Sequence, residues 1–276
     1  MLSNIDFNYL RNLMLRYLGI DISIYKPQFI RRRLAIRMRA LNINRVEDYI
    51  TYLRRNPHEL SFLLDNMTIN VSQFFRDPHV WEAVKSQVLR PVIAQKRARG
   101  SRIIRIWSAG CARGEEPYTI SMILHELLNP ILNGFTITIL ATDIDPNAIE
   151  AAKLGEYDPK SLATVPPALI RKYFYYDNMT GKYVVKDIVK RIVKFKVHDV
   201  TRHPPITLVD VIFCRYLLIY IAKDVQLKVL SNFYRALSSG GYLVLGASEF
   251  LPEKIHSMFE TINLRARIYR KKLNVD

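Results

Sequence analysis

Residues 101–128, SRIIRIWSAGCARGEEPYTISMILHELL, carry the pattern that decides the fold. A short β-branched run, Ile103, Ile104 and Ile106, ends in the small residues Ser108, Ala109 and Gly110 and gives way to a helical pattern opened by Glu115 and Glu116. A strand that turns through small residues into a helix is the first unit of an α/β sheet. The alternation then repeats: FTITILATDI (135–144) as strand, DPNAIEAAK (145–153) as helix, RIVKFKVHDV (191–200) and LVDVIFCRY (208–216) as strands, AKDVQLKVLSNFYRALSSG (222–240) as helix and GYLVLGAS (241–248) as strand. Such a series predicts an open, mainly parallel sheet. MFETINL (258–264) and ARIYRKKL (266–273) read as a terminal antiparallel pair. One block departs from the rhythm: KYFYYDNMTGKYVVKD (172–187) reads as a hairpin around DNMTG, and we place an inserted β-subdomain at about 156–190.

Upstream of residue 99 the period is helical. Phe7, Leu10, Leu13 and Met14 share one face, with Gly19 as the stop. In KPQFIRRRLAIRMRALN (26–42), Ile30, Leu34, Met38 and Leu41 lie on one side while Arg32, Arg33, Arg37 and Arg39 cover much of the rest, a basic amphipathic helix. The expected organisation is a helical domain over 1–75, a connecting helix over 76–98 and an α/β domain over 99–276.

Composition narrows the class. Hydrophobic residues at 49% and charged residues at 24% describe a globular chain, not a disordered or repetitive one. Two cysteines, Cys111 and Cys214, are too few for a disulfide scaffold or a cysteine-rich zinc site, and no metal is expected. The N-terminus lacks the order of a secretion signal, and the most apolar stretch, LVDVIFCRYLLIYIA (208–222), is interrupted by Asp210 and Arg215, so a cytoplasmic protein without membrane insertion is expected. With 41 Lys and Arg against 25 Asp and Glu, the net charge of +16 favours an anionic partner, the bland alternative being a basic surface that serves solubility or heat tolerance.

Ligands of open α/β sheets bind beyond the carboxyl ends of the strands. After the first strand, Gly110 and Gly114 permit close backbone approach, and Glu115 and Glu116 either face a ligand or complement the helix dipole. After the second, Asp143 is placed to accept hydrogen bonds from ribose hydroxyls, whereas Asp145 before Pro146 is explained as an N-cap. Asp199 follows the third end, and Arg215 and Tyr220 follow the fourth. Neither a Walker pattern nor GxGxxG occurs, which favours an adenosine ligand without phosphates, and S-adenosylmethionine adds a sulfonium that tolerates carboxylates.

NMTINVSQFFRD (66–77), WSAGCARGEEPYTISM (107–122), ATDIDPNAIEAAKLGEYD (141–158), DVIFCRYLLIYI (210–221) and SSGGYLVLGASE (238–249) together resemble the chemotaxis receptor glutamate O-methyltransferases, the CheR family, in order and rough spacing over nearly the whole chain. The resemblance implies a class I S-adenosylmethionine-dependent methyltransferase sheet of α/β class, mostly parallel with an antiparallel edge, an all-α N-terminal domain and the inserted antiparallel β-subdomain. It nominates Asn70, Ser72, Arg76, Gly110, Glu115 or Glu116, Asp143, Asp199, Val200, Arg215 and Tyr216 as cofactor-binding residues, and Arg76 and Tyr220 as catalytic. The structural alternatives are an Arg76 paired with Asp77 or a helix end, and a Tyr220 in the core. Ser72 stands where many members have threonine, Asp199-Val200 where relatives often have Asn-Leu, and Tyr216 where asparagine is usual. The implied reaction methylates glutamates of methyl-accepting receptors, yielding S-adenosylhomocysteine. The implied partner is the acidic helical cytoplasmic region of those receptors, met by Arg32, Arg33, Arg37 and Arg39, with a receptor C-terminal peptide at the β-subdomain as a further implied contact. A monomer that does not bind nucleic acid is expected. A nucleic-acid methyltransferase, or a non-catalytic scaffold with the same fold, are the competing readings.

Overall fold

The computed structural model describes residues 4–68, 72–129 and 131–272, apart from the side chains at 4, 131 and 133; Asn70 lies outside the described residues. The chain forms two compact units, one made of the first 70 residues with Tyr220–Gln226, the other of the remainder.

The first unit is helical: α1 (Asn4–Leu18), α2 (Pro27–Ala40), α3 (Val46–Arg55) and α4 (Glu59–Met67). Its helices bury one stripe each, Leu10 and Met14 from α1, Ile30, Leu34 and Met38 from α2, Tyr49, Ile50 and Leu53 from α3, and Leu60, Leu63 and Leu64 from α4. α1 stops where Gly19 takes φ +69°, and Pro27 starts α2 at a position where its missing N–H is not needed. One ion pair lies inside this core. Glu59, 2% exposed, accepts both Arg37 nitrogens at 2.7 and 2.8 Å and the Tyr49 hydroxyl at 3.0 Å. The later segment joins by main-chain hydrogen bonds, Lys26 N to Tyr220 O and Ala222 N to Ile24 O, both 2.9 Å.

In the second unit α5 (Pro78–Val84) passes through a π turn at Lys85–Leu89 into α6 (Arg90–Ala98). Pro91 has no N–H for the carbonyl four residues earlier and its ring crowds that carbonyl, so the wider turn accommodates it. The sheet that follows contains β1 (Ile103–Ala109) and, after α7 (Glu115–Leu128), β2 (Thr136–Asp143). After α8 (Pro146–Leu154) come β3 (Glu156–Tyr157), α9 (Pro167–Tyr173), β4 (Phe174–Asp177), β5 (Lys182–Val185) and α10 (Asp187–Lys190). The large sheet resumes with β6 (Val193–Val197), β7 (Val209–Cys214), α11 (Lys223–Ala236), β8 (Leu237–Leu245), α12 (Glu253–His256), β9 (Phe259–Asn263) and β10 (Ile268–Lys271).

The seven strands of the large sheet lie in the order β6-β2-β1-β7-β8-β10-β9. Pairings from β6 to β8 are parallel, and β10 is antiparallel to both β8 and β9. This is the open, mainly parallel α/β sheet with an antiparallel edge. All six residues of β7 are buried, as expected of a central strand covered on both faces. Strand order reverses between β1 and β7, the crevice where such sheets take ligands. The three short strands form a separate antiparallel sheet, β3-β5-β4, whose β4–β5 turn is closed by Asp177 accepting from Met179 N and the Thr180 hydroxyl. Asp210, at the buried start of β7, pairs with Lys96 of α6 at 2.7 Å and accepts Arg105 N at 2.9 Å. No helix among the described residues is long and apolar enough to cross a membrane.

Replacing Glu59 by alanine strips the Arg37 guanidinium and the Tyr49 hydroxyl of a shared buried acceptor. The expected loss is about 3 kcal/mol of unfolding free energy, read as a lower urea midpoint; a loss below about 1 kcal/mol would mean that the pair is worth no more than a surface one.

Candidate functional site

The carboxyl ends of β1, β2, β6 and β7 bring together the loops that sequence analysis nominated. The first loop folds back on β2: Gly110 N and Cys111 N both donate to Thr142 O, at 2.8 and 2.9 Å. Gly110 takes φ +80°, a backbone conformation that strains any side chain, and a Cβ there would also press on Leu217 Cδ2 at 3.1 Å. Asp143 is 9% exposed; Oδ2 accepts Ala112 N at 2.9 Å and Oδ1 accepts Asp145 N at 3.1 Å. Burial pushes its carboxyl above the usual carboxylate range and these N–H donors pull it back. Its oxygens, each with two acceptor sites, keep capacity for hydroxyl donors. Asp145 caps α8 by accepting Asn147 N and Ala148 N, which accounts for it structurally.

Glu115 and Glu116, ambiguous in the sequence, have different surroundings. Glu116 Oε1 accepts the Ser108 hydroxyl at 2.8 Å, and Oε2 lies 3.5 Å from Arg215 Nη1. Glu115 is 4% exposed, and its Oε2 has no hydrogen-bond partner among the described residues. Burial raises both carboxyls; the Ser72 hydroxyl opposes this at Glu115 and the Arg215 charge at Glu116. A buried, unpartnered carboxylate oxygen is costly unless a donor or cation reaches it. Asp199 is engaged locally, accepting Thr201 N and the Thr201 hydroxyl at 2.8 and 2.7 Å, while Val200 is buried beside it.

The fourth loop holds the densest charge. Arg215, with 3% of its side chain exposed, donates to Asp77 Oδ2 at 2.6 Å and to Arg76 O at 2.9 Å, and faces Glu116. Its guanidinium also lies 5.3 Å from the centre of the Trp81 ring, which stacks on Phe213. The partner of Asp77 is thus Arg215, whereas the Arg76 guanidinium lies on the face of Tyr216, 3.5 Å from the ring centroid. Four of the seven non-glycine residues with positive φ among the described residues, Phe75, Asp77, Ala112 and Tyr216, sit in these loops, a concentration of backbone strain typical of functional sites.

Sequence reasoning missed Glu249. Its carboxylate, 3% exposed, accepts Tyr216 N at 2.8 Å, Leu218 N at 2.7 Å, Ile219 N at 3.4 Å and Gly246 N at 2.7 Å. One side chain therefore holds the turn after β7 against the end of β8. A Cβ on Gly246 would come within 2.7 Å of both Glu249 Oε2 and Tyr216 N. The signal was present as an acid directly after the small residues of GAS, without a nearby basic partner.

Two nominated groups are placed in the helical unit. Tyr220 packs against Phe29 with ring centroids 4.9 Å apart. Of the basic set, Arg32 and Arg39 are exposed, and Arg33 is half-buried with its guanidinium 5.2 Å from the Phe29 ring. Arg37 differs from the other three: it is half-buried and bound to Glu59, because a buried carboxylate 22 residues away in sequence requires a cation.

S-adenosylmethionine fits this residue set. It offers a cationic sulfonium and an ammonium to the buried acids at the strand ends, among them a Glu115 oxygen with no partner among the described residues, and ribose hydroxyls to Asp143. A family model described as "CheR methyltransferase, SAM binding domain" matches residues 70–268, and one described as "CheR methyltransferase, all-alpha domain" matches residues 5–68. A "Probable chemotaxis protein methyltransferase" of Rhizobium etli is 32% identical over 259 residues, covering 92% of this chain and 96% of that protein. "Chemotaxis protein methyltransferase 2" of Vibrio cholerae is 32% identical over 270 residues, covering 96% and 92%. An uncharacterized 104.1 kDa protein of Rhodobacter capsulatus is 33% identical over 246 residues; there the match covers 89% of this chain but 25% of the longer protein.

Replacing Glu249 by alanine removes the acceptor shared by four amides, at about 1–3 kcal/mol for each buried donor that finds no other. The expected result is faster hydrogen exchange at Tyr216 and Gly246 than across the rest of β7 and β8; unchanged protection there would show that the carboxylate does not hold the loop.

Proposed function

The chain belongs to the CheR methyltransferase family of S-adenosylmethionine-dependent enzymes, and we propose that it methylates glutamate side chains of chemotaxis receptors during sensory adaptation, as a cytoplasmic enzyme. The observation that carries this reading is the set of buried acids at the strand ends, Glu115, Glu116 and Asp143, together with a cation, Arg76, presented on an aromatic face.

When bound, S-adenosylmethionine supplies an electrophilic methyl group on a sulfonium and leaves as S-adenosylhomocysteine. Asp143 would accept from its ribose hydroxyls, Glu115 and Glu116 would balance its cationic groups, and Gly110 would let the main chain approach. Ser72, Asp199, Val200, Arg215 and Tyr216 complete the surrounding wall, and the resemblance adds Asn70 to it. No general base is needed, because a glutamate side chain, with a reference pKa of about 4.3, is ionised at neutral pH. Orientation is the remaining requirement. Arg76 presents a planar fork of donors that suits a carboxylate, and alignment of attacking oxygen and methyl carbon is worth roughly 7–11 kcal/mol when complete. Tyr220, nominated by the resemblance, is a second donor in this proposal. The exposed Arg32 and Arg39, with the half-buried Arg33, steer an acidic receptor surface; Arg37 takes no part.

Transfer of labelled methyl from S-adenosylmethionine to a purified receptor cytoplasmic fragment, followed by alkaline treatment, tests the reaction. Base-labile label released as methanol is the expected outcome. Base-stable label would identify a different acceptor chemistry, and absence of S-adenosylhomocysteine binding by calorimetry would favour a scaffold. Arg76→Ala is expected to lower kcat at least about 100-fold, the scale of a misplaced reactant, and near-normal turnover would remove Arg76 from the mechanism. Reversing Arg32 and Arg39 to glutamate is expected to raise the receptor KM and to flatten its dependence on salt. An unchanged KM would make the helix a solvated face.

A further inference from the structure

Tyr216 occupies a backbone conformation that bulky side chains rarely adopt, with φ at +62°. Glycine, asparagine and aspartate enter this region readily; a large aromatic residue persists there only where its surroundings hold it. Three contacts do so. The main-chain N–H donates to Glu249 Oε2 at 2.8 Å, the phenol hydroxyl donates to Asp77 Oδ2 at 2.5 Å, and the Arg76 guanidinium lies 3.5 Å from the ring centroid. Asp77 is also the carboxylate that neutralises Arg215, and it directly follows Arg76 in the chain.

We infer that Tyr216 is a positioning residue whose ring is the platform holding the Arg76 guanidinium and whose hydroxyl, bonded to the Asp77 carboxylate, ties down the residue next to Arg76 in the chain. The inference rests on the proposed role of Arg76 in orienting the substrate carboxylate. An arginine side chain is long and loses much rotamer entropy when held, so a group that must orient another molecule gains from being held beforehand. The electron-rich ring face attracts the cation, and the contact engages the face of the guanidinium while its N–H donors lie in the plane, directed past the ring. A stacked arginine is therefore held without its hydrogen-bonding edge being covered by the group that holds it. Burial, followed by the bond to Asp77, pushes the Tyr216 phenol up, so its hydroxyl remains a donor at neutral pH. Glu249 completes the arrangement by bonding the amide of the strained residue itself.

Two measurements on the full chain test this. In NMR spectra of the protein without substrate, the Arg76 side-chain protons are expected to be shifted upfield by the Tyr216 ring, with the shift retained in Tyr216→Phe and lost in Tyr216→Leu. Arg76 signals at unperturbed positions in the wild type, or a shift that survives Tyr216→Leu, would overturn the inference whatever the protein methylates. In the methyl-transfer assay, Tyr216→Leu is expected to lower kcat about tenfold, the scale of a partly desolvated cation–π contact, with a smaller change in the KM for S-adenosylmethionine. Tyr216→Phe is expected to recover most of that loss. On an Arg76→Ala background the same leucine substitution is expected to add less than about twofold, because residues that act through one another are not additive. A full tenfold loss on that background would assign Tyr216 a separate role and overturn the inference. Should Tyr216→Leu not fold, Tyr216→Asn, which suits the left-handed backbone and lacks the ring, takes its place. Failure of the wild type to methylate any receptor fragment would count against the proposed function alone, and the NMR result would still decide the inference.

Discussion

The guanidinium of Arg215 must be neutralised almost out of reach of water, and that requirement organises the loops at the end of the sheet. Only 3% of the side chain is exposed, and an ion so placed forfeits several kcal/mol of hydration unless charges and acceptors replace it. Asp77, from the segment before α5, and Glu116, from the first turn of α7, approach it from different elements, and the Arg76 carbonyl adds a third acceptor. Three stretches far apart in sequence are thereby held in one arrangement. Trp81 and Phe213 stack beneath the cation and exclude solvent from one side. The location of Arg76 and the approach of Tyr216 to Asp77 both follow from this anchoring.

The electrostatic character of the pocket runs against that of the whole chain. A protein of net charge +16 gathers Glu115, Glu116, Asp143 and Glu249 around its strand ends, each with its carboxyl pushed up by burial. Glu249 meets this burden with main-chain N–H groups, Glu116 with Ser108 and Arg215, and Asp143 with the turn after β1. Glu115 retains a buried oxygen without a partner among the described residues. Segregation of charge lets a basic exterior attract an acidic macromolecule while the interior favours a small cation.

The strand ends were legible in the sequence because each marks itself chemically: a β-branched run stops, small residues follow, and an acid or arginine appears. That pattern drew attention to Gly110, Glu115, Glu116, Asp143 and Arg215, while the antiparallel edge was read from the paired runs 258–264 and 266–273. What one dimension does not display is a partner made of backbone, so Glu249, whose ligands are four amides, passed as an ordinary loop acid. Nor does it display a torsion angle: the positive φ of Phe75, Asp77, Ala112 and Tyr216 has no glycine to announce it. The helical spacing of α2 put Arg37 among its solvated arginines, but Glu59, buried on α4, draws it inward. The π turn in the helix before β1 follows from one proline that the periodicity alone did not weigh.

Tyr220–Gln226 belong with the helical unit although they are encoded far downstream of it. The two family models meet between residues 68 and 70, a division that suggests a detachable cassette. Cohesion is drawn differently, since Tyr220 O and Ala222 N are hydrogen-bonded to the chain at Lys26 and Ile24, and the Tyr220 ring packs on Phe29. Exchange of the first 70 residues between relatives would therefore separate halves of one folded unit. In such a chimera, inheritance of the helical unit is complete only when the 220–226 segment travels with it, so these two stretches are expected to diverge in evolution as a single module.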